Sequence, residues 1–291
     1  MSGKGREGFY LLWTIAILVC LGFSVFLLIY ASFAKAPETF ELPPVDTYQT
    51  EQQDPDAGQQ ADMDAAAGAA QGEDIPEPPA ATSAPVTLGE TEDMGEEYLN
   101  KIVFLGDSTT YGLRAYDVLP NTQVWTPASG TLTLSNYAIE TIEYFADASG
   151  VAQSLSIADC VSQRQPEYLV ITLGLNGISF LDETQFKQYY TSLINDIKTA
   201  SPNTKIICNS IFPVIDSMVT VGGINNANVN AANGWILSVA EQTGTRYLNT
   251  HDTLLDDTGN LRYEYNSGDG IHLMPDCYKL ILEYVRTHGY Q

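Results

Sequence analysis

Short apolar runs, separated by longer stretches of helical periodicity, dominate residues 98–291. Such runs are typical of strands that are buried on both faces of a sheet. They lie at residues 101–105, 123–126, 168–173, 205–209 and 246–249. Strands that alternate with helices form βαβ units, so this part of the chain predicts one α/β domain with a parallel sheet.

Three segments between and after these runs have the spacing of amphipathic helices. Residues 183–200 place apolar side chains three and four positions apart, and Pro202 and Asn203 end the pattern. Residues 224–243 form a second predicted helix, and residues 275–286 form a third that opens with Pro275. These helices are expected to cover the faces of the sheet.

The N-terminal region contains a segment long enough to cross a membrane. Residues 9–34 are uncharged, and at about 1.5 Å per residue they exceed the roughly 30 Å hydrocarbon core. Lys4 and Arg6 precede the segment and acidic residues follow it, which places residues 1–8 in the cytoplasm. The sequence therefore predicts a single-pass membrane anchor, with the α/β domain outside the cytoplasm.

Two other fates of this segment remain open. A cleaved signal peptide is one, although the apolar run exceeds the usual h-region and Pro37 would hinder cleavage after Ala36. Lipid modification of Cys20 is the other, but Val19 stands where a small residue is expected and the apolar run continues past Cys20. The uncleaved anchor is the reading that these residues favour.

Residues 35–97 have the composition of a disordered acidic linker. From Pro37 to Glu97 the chain has sixteen Asp or Glu and no Lys or Arg, with few large apolar residues. Such a segment buries too little surface to offset its ordering entropy. Residues 98–291 have nineteen acidic and ten basic residues, a balance that argues against a nucleic-acid partner.

Three cysteines of the predicted domain stand alone in the sequence. Cys160, Cys208 and Cys277 lack the paired C-x-x-C spacing of zinc sites and redox motifs. We expect buried free thiols, with one disulfide among the three as the alternative. No metal site and no organic cofactor are predicted.

Residues suited to nucleophilic catalysis follow the first strand and precede the last helix. Gly106-Asp107-Ser108 places a serine at the carboxyl edge of the sheet, where a helix beginning after it would direct N–H groups toward a developing anion. Asp269 and His272 are three residues apart, so the carboxylate can orient the imidazole. The pattern predicts Ser108 as nucleophile, His272 as general base and Asp269 as its orienting group.

Two weaker signals follow the second and third strands. Asn176 offers a neutral side-chain donor for an oxyanion, and Gly130 offers an N–H that substrate can approach closely. Tyr111 and Trp125, near the same strand ends, are candidates for substrate contact, although packing accounts for both. Each of these residues can also be explained by a purely structural role, in a turn or in the core.

Taken together, Gly106-Asp-Ser108, Gly130, Asn176 and Asp269-x-x-His272 resemble the SGNH hydrolases, also called GDSL esterases. The resemblance covers residues 101–290 and implies a flavodoxin-like three-layer α/β/α fold around a five-stranded parallel sheet. It implies an oxyanion hole formed by the Ser108 and Gly130 N–H groups and the Asn176 side chain. The family pattern looks like Gly-x-Asn-Asp, and Gly177 stands where its bracing aspartate would be.

The predicted activity is hydrolysis of a small acyl ester, in particular an O-acetyl group on cell-envelope or extracellular carbohydrate. A lipid-directed esterase or lysophospholipase and a sugar O-acyltransferase are alternatives of the same chemistry. A catalytically silent surface-binding domain is the alternative from a different class, and the missing aspartate at position 177 favours it. The intact Ser108, Asp269 and His272 favour an enzyme. The sequence leaves protein partners open.

Overall fold

A computed structural model of the chain describes residues 85–291. The predicted cytoplasmic residues 1–8, the membrane segment 9–34 and linker residues 35–84 lie outside the described residues. No helix within residues 85–291 is both long and apolar enough to cross a membrane.

Five parallel strands form the central sheet. In chain order they are β1 (Ile102–Gly106), β2 (Val124–Trp125), β5 (Tyr168–Thr172), β6 (Lys205–Asn209) and β7 (Arg246–Leu248). Their spatial order is β2-β1-β5-β6-β7, and every neighbouring pair is parallel. Numbered 1 to 5 along the chain, the strands of this sheet have the order 2-1-3-4-5, which is that of flavodoxin-like sheets. The predicted five-stranded parallel sheet is therefore confirmed.

Helices cover both faces of the sheet. They are α1 (Gly95–Leu99), α2 (Ser108–Ala115), α3 (Ile157–Arg164), α4 (Glu183–Ala200), α5 (Asn226–Thr243) and α6 (Pro275–Thr287). Side chains of β1 alternate between two cores: Val103 and Leu105 pack with the α4 and α5 side, and Ile102 and Phe104 with the α6 side. Burial on both faces explains why the strands are apolar throughout.

The three predicted helices are confirmed, with small differences at their ends. A capping box between Asp182 and Gln185 starts α4 at the predicted residue. The helix predicted from residue 224 begins at Asn226, because the Asn225 side chain accepts a hydrogen bond from the Asn228 N–H and so serves as N-cap.

Two regions of structure were not predicted. An antiparallel hairpin pairs β3 (Ile142–Phe145) with β4 (Ala152–Leu155), and α3 follows it. Residues 86–97, assigned to the linker by composition, instead pack on the domain. Leu88 is buried and its N–H donates to the Tyr247 carbonyl at 2.8 Å, while the Tyr247 N–H donates to the Val86 carbonyl at 2.9 Å. The folded domain therefore includes residues before 98.

Cys160, Cys208 and Cys277 are buried and unpaired, as expected of structural thiols. Burial raises the pKa of Cys160 to about 12 and that of Cys208 to about 11, so neither thiol forms a reactive thiolate at neutral pH.

Candidate active site

The β1–α2 junction places Ser108 at the carboxyl edge of the sheet. Gly106 ends β1, and a Cβ there would lie only 2.7 Å from the Thr172 carbonyl oxygen, so no larger residue fits. Asp107 is the N-cap of α2, with its side chain accepting from the Thr109 N–H at 2.9 Å. Ser108 is therefore the first residue of the helix, which fixes its hydroxyl at the N-terminal end of α2.

A tight turn before α6 presents the imidazole. Gly270 has a φ of +84°, and a Cβ there would come within 2.8 Å of the Met218 Cβ. Its N–H donates to the Asn266 side chain at 2.8 Å, and the Ser267 N–H donates to the His272 carbonyl at 2.8 Å. These contacts close the loop on both sides and leave little freedom for the backbone of His272.

Ser108, His272 and Asp269 form one hydrogen-bonded chain, although Ser108 lies far from the other two in sequence. His272 Nε2 lies 2.8 Å from Ser108 Oγ, and His272 Nδ1 lies 2.5 Å from Asp269 Oδ2. An ionised carboxylate only accepts hydrogen bonds, so Nδ1 carries the proton and the Nε2 lone pair faces the hydroxyl. The three side chains predicted from the motifs are therefore in contact and in the expected order.

Asp269 is held ionised by its own loop. Partial burial raises its pKa, but hydrogen bonds from the His272 ring and from the His272 and Ile271 N–H groups outweigh burial and lower the pKa to about 2. The Asp269 side chain is 51% exposed and that of His272 is 41% exposed. His272 thus has the charged Asp269 carboxylate on its Nδ1 side, and its partly exposed ring is open to solvent and substrate.

Asn176 lies in the 3-10 turn Leu175–Gly177 after β5, within reach of the nucleophile's own loop. Its Nδ2 donates to Asp107 Oδ2 and to the Leu132 carbonyl, both at 3.2 Å. Gly177 has no carboxylate to offer, and a Cβ there would lie 3.0 Å from Leu181 Cδ1. In this structure the carboxylate that holds the Asn176 side chain therefore belongs to Asp107 and not to residue 177.

The two backbone donors expected in an oxyanion hole are engaged with protein acceptors. The Ser108 N–H donates to the Gly130 carbonyl at 2.9 Å, and the Gly130 N–H donates to the Pro127 carbonyl at 3.0 Å. Gly130 does lie beside the nucleophile, since a Cβ on it would be 3.5 Å from the Ser108 Cβ. The oxyanion roles of both N–H groups remain predictions. When substrate binds, the Ser108 N–H would have to leave the Gly130 carbonyl and the Gly130 N–H would have to leave the Pro127 carbonyl.

Asp107 is a site residue that sequence reasoning missed, because an Asp before a helix is also an ordinary N-cap. It is 1% exposed, and burial raises its pKa to about 6. Of the two aromatic candidates, Trp125 is fully buried and packs against Tyr144, whereas Tyr111 is 43% exposed. Trp125 is therefore a core residue, and substrate contact remains open only for Tyr111.

The other histidines have local partners. His251 is buried beside Asp252, with its Nδ1 3.0 Å from the carboxylate, and His288 stacks on Tyr284. Within residues 85–291 no group of three or more His, Cys, Asp or Glu side chains is arranged to hold a metal ion. The absence of a cofactor stays a prediction.

The chain is similar to known proteins both in sequence and in fold. The model of the GDSL-like lipase/acylhydrolase family matches residues 104–280. Solved structures with similar folds include a GDSL-like lipase from Bacteroides thetaiotaomicron, 18% identical over 62% of this chain and 83% of that one, with a TM-score of 0.46. A family 3 carbohydrate esterase from Talaromyces cellulolyticus is 16% identical over 64% and 93%, with a TM-score of 0.38. No curated protein sequence gives a significant match.

Proposed function

The chain belongs to the GDSL-like lipase/acylhydrolase family, and on that premise we propose that it is a serine esterase acting through Ser108, His272 and Asp269. The observation that carries the proposal is the 2.8 Å contact between His272 Nε2 and Ser108 Oγ. It joins a general base to a hydroxyl that is otherwise too weak a nucleophile.

The proposed reaction has two stages. His272 takes the hydroxyl proton as Ser108 Oγ attacks the ester carbonyl, and the oxyanion is stabilised by Asn176 and the rearranged Ser108 and Gly130 N–H groups. The tetrahedral adduct collapses, the C–O bond to the leaving alcohol breaks, and the alcohol takes the proton from His272. Water then attacks the acyl-serine with His272 again as base, which releases the acid and restores Ser108.

We propose that the ester is an O-acetyl group on cell-envelope or extracellular carbohydrate. The partly exposed His272 and Asp269 suit an acyl group carried on a bulky alcohol, because the polymer can lie across an open edge of the sheet. The location outside the cell rests on the uncharged segment 9–34 and the charges that flank it. Protease added to intact cells should then remove the domain, and its full protection would refute this placement.

A lipid-directed esterase is the second candidate, and exposed apolar side chains favour it. Met274 is 41% exposed two residues after His272, and Tyr111 is exposed three residues after Ser108, on the same face of α2. Such groups could contact a long acyl chain. Rates on acetyl and long-chain p-nitrophenyl esters separate the candidates, since faster turnover of the acetyl ester is expected for the carbohydrate esterase.

The function is tested with the full-length chain, p-nitrophenyl acetate and a serine-reactive fluorophosphonate. The native protein should hydrolyse the ester and take the label, whereas Ser108→Ala should do neither. Ser154→Ala, a change at an exposed hairpin position, is the matched control and should behave as the native protein does. A native protein with neither activity nor labelling would be the silent binding domain. Transfer to an added sugar hydroxyl, without release of free acetate, would indicate an acyltransferase.

A further inference from the structure

The buried carboxylate of Asp107 contacts the Asn176 carboxamide across 69 residues of sequence. We propose that Asp107 is a positioning residue, which fixes the Asn176 amide with its nitrogen rather than its oxygen toward the reaction centre. The proposal rests on the serine-esterase function. It assigns to Asp107 the orientation of the Asn176 side chain, the proposed oxyanion donor.

The contacts of Asn176 permit only one orientation of its amide. The group that lies 3.2 Å from both Asp107 Oδ2 and the Leu132 carbonyl faces two acceptors, neither of which can donate while Asp107 is ionised. An amide oxygen at this position would be repelled by both. The nitrogen is therefore held there, and its two hydrogens are directed at the two acceptors.

Asp107 is itself held in place from its other oxygen. Asp107 Oδ1 accepts from the Thr109 N–H at 2.9 Å and from Thr109 Oγ1 at 2.8 Å, which leaves Oδ2 for Asn176. The carboxylate is 1% exposed, so water does not compete for these bonds. Because Asp107 and Ser108 are adjacent on the same helix start, Asn176 is aligned directly with the nucleophile.

This arrangement can also supply the donor when charge develops. One Nδ2 hydrogen leaves the Leu132 carbonyl for the stronger, charged acceptor of the tetrahedral adduct, while the other stays on Asp107. The Asp107 bond thus keeps the amide from rotating during the reaction. A second aspartate at position 177 is not needed for this, and Leu181 restricts the space for one.

Protonation of Asp107 would remove the preference for the Asn176 amide nitrogen over its oxygen at this position. A proton on Oδ2 would point at Asn176 and would favour its amide oxygen instead, which turns the nitrogen away. The groups that influence this carboxylate are the Thr109 donors, the charge of His272 and the Tyr278 hydroxyl on α6. Burial raises the pKa of Asp107 to about 6, so activity should fall as the pH is lowered through this range.

The test is a double-mutant cycle on the full-length chain with p-nitrophenyl acetate. Asp107→Asn keeps a good N-cap, but its Oδ1 must serve Thr109, so its NH₂ group faces Asn176 and turns that amide over. Both Asp107→Asn and Asn176→Ala should lower kcat by about 10²–10³ with KM little changed. The double variant should be no slower than Asn176→Ala alone. Multiplying effects would mean that Asp107 does not act through Asn176.

Thr109→Val provides a second test that does not depend on the folding of Asp107→Asn. It removes one hydrogen bond that stabilises the ionised carboxylate, without touching Asn176. Loss of a bond that stabilises the ionised Asp107 carboxylate should move the acid limb of the kcat profile to higher pH. An unmoved limb, with Ser108-dependent hydrolysis intact, would overturn the positioning role and leave the esterase function standing. Loss of native Ser108-dependent hydrolysis would instead refute the function.

Discussion

Replacing Asp269 distinguishes two effects of its carboxylate on His272: control of the imidazole tautomer and attraction to the imidazolium. Asp269 Oδ1 accepts the N–H groups of Ile271 and His272, both at 2.9 Å, and Oδ2 accepts from His272 Nδ1. In Asp269→Asn the amide oxygen must stay on the two backbone donors. The NH₂ group then faces Nδ1 and forces the proton onto Nε2, where the ring cannot take the hydroxyl proton of Ser108.

The magnitudes follow from this geometry. A wrong tautomer costs about 10⁴ in kcat in serine hydrolases. Asp269→Ala leaves the tautomer free and removes only the attraction between carboxylate and imidazolium. With charges about 4 Å apart in a half-exposed site, that attraction is roughly 1–4 kcal/mol, or about 5–10³ in rate. The asparagine variant should therefore be at least about tenfold slower than the alanine variant, although it is the more conservative change.

The assay is kcat/KM of the full-length variants on p-nitrophenyl acetate. Asp276→Asn, an exposed acid-to-amide change on α6, is the matched control and should leave the rate unchanged. If Asp269→Asn were as active as Asp269→Ala, or more active, this explanation would be refuted. The N–H groups of Ile271 and His272 would then not fix the orientation of the new amide. Asp269 should also contribute about 1 kcal/mol of stability after screening, present above its unperturbed pKa of 3.8 and lost as pH falls through about 2.

Outcomes are also expected for four further variants. His272→Ala should lower kcat on p-nitrophenyl acetate by several orders of magnitude, whereas Asn176→Ala should lower it by about 10²–10³; equal activity of the native and His272→Ala proteins would overturn the base assignment. Gly112→Ala should lower the free energy of unfolding by about 1–3 kcal/mol, because its Cβ would overlap the Tyr278 ring. Gly234→Ala should raise it by about 0.5–1 kcal/mol, since Gly234 lies in α5 with no atom within 4 Å of the new Cβ. Urea denaturation measures both, and the same sign for the two would contradict the packing argument.

The sheet was predictable because each strand is buried on both faces. That burial makes residues such as those of β1 and β5 apolar without interruption, which the sequence displays directly. The hairpin was not predictable, because β4 is Ala152–Leu155, a largely exposed strand with little apolar pattern. Leu88 was missed for the opposite reason: one apolar residue in an acidic segment gives no periodic signal, yet it is buried beside the edge strand β7.

The candidate site was predictable where it depends on local spacing. Asp269 and His272 share one turn, so their contact could be anticipated, and the β1–α2 junction placed Ser108 at the correct edge. The contacts between distant loops were not accessible in the same way. The Asp107 bond to Asn176 and the Gly130 carbonyl on the Ser108 N–H depend on how loops from three strands meet. Only their three-dimensional arrangement determines which donors are free.

The central claim is that His272 activates Ser108 as a nucleophile, and the rate of Ser108 labelling by a fluorophosphonate measures it most directly. The native chain should label at a single residue, and His272→Ala should label far more slowly while remaining folded. Labelling that is as fast in His272→Ala as in the native chain, or that persists in Ser108→Ala, would contradict the account.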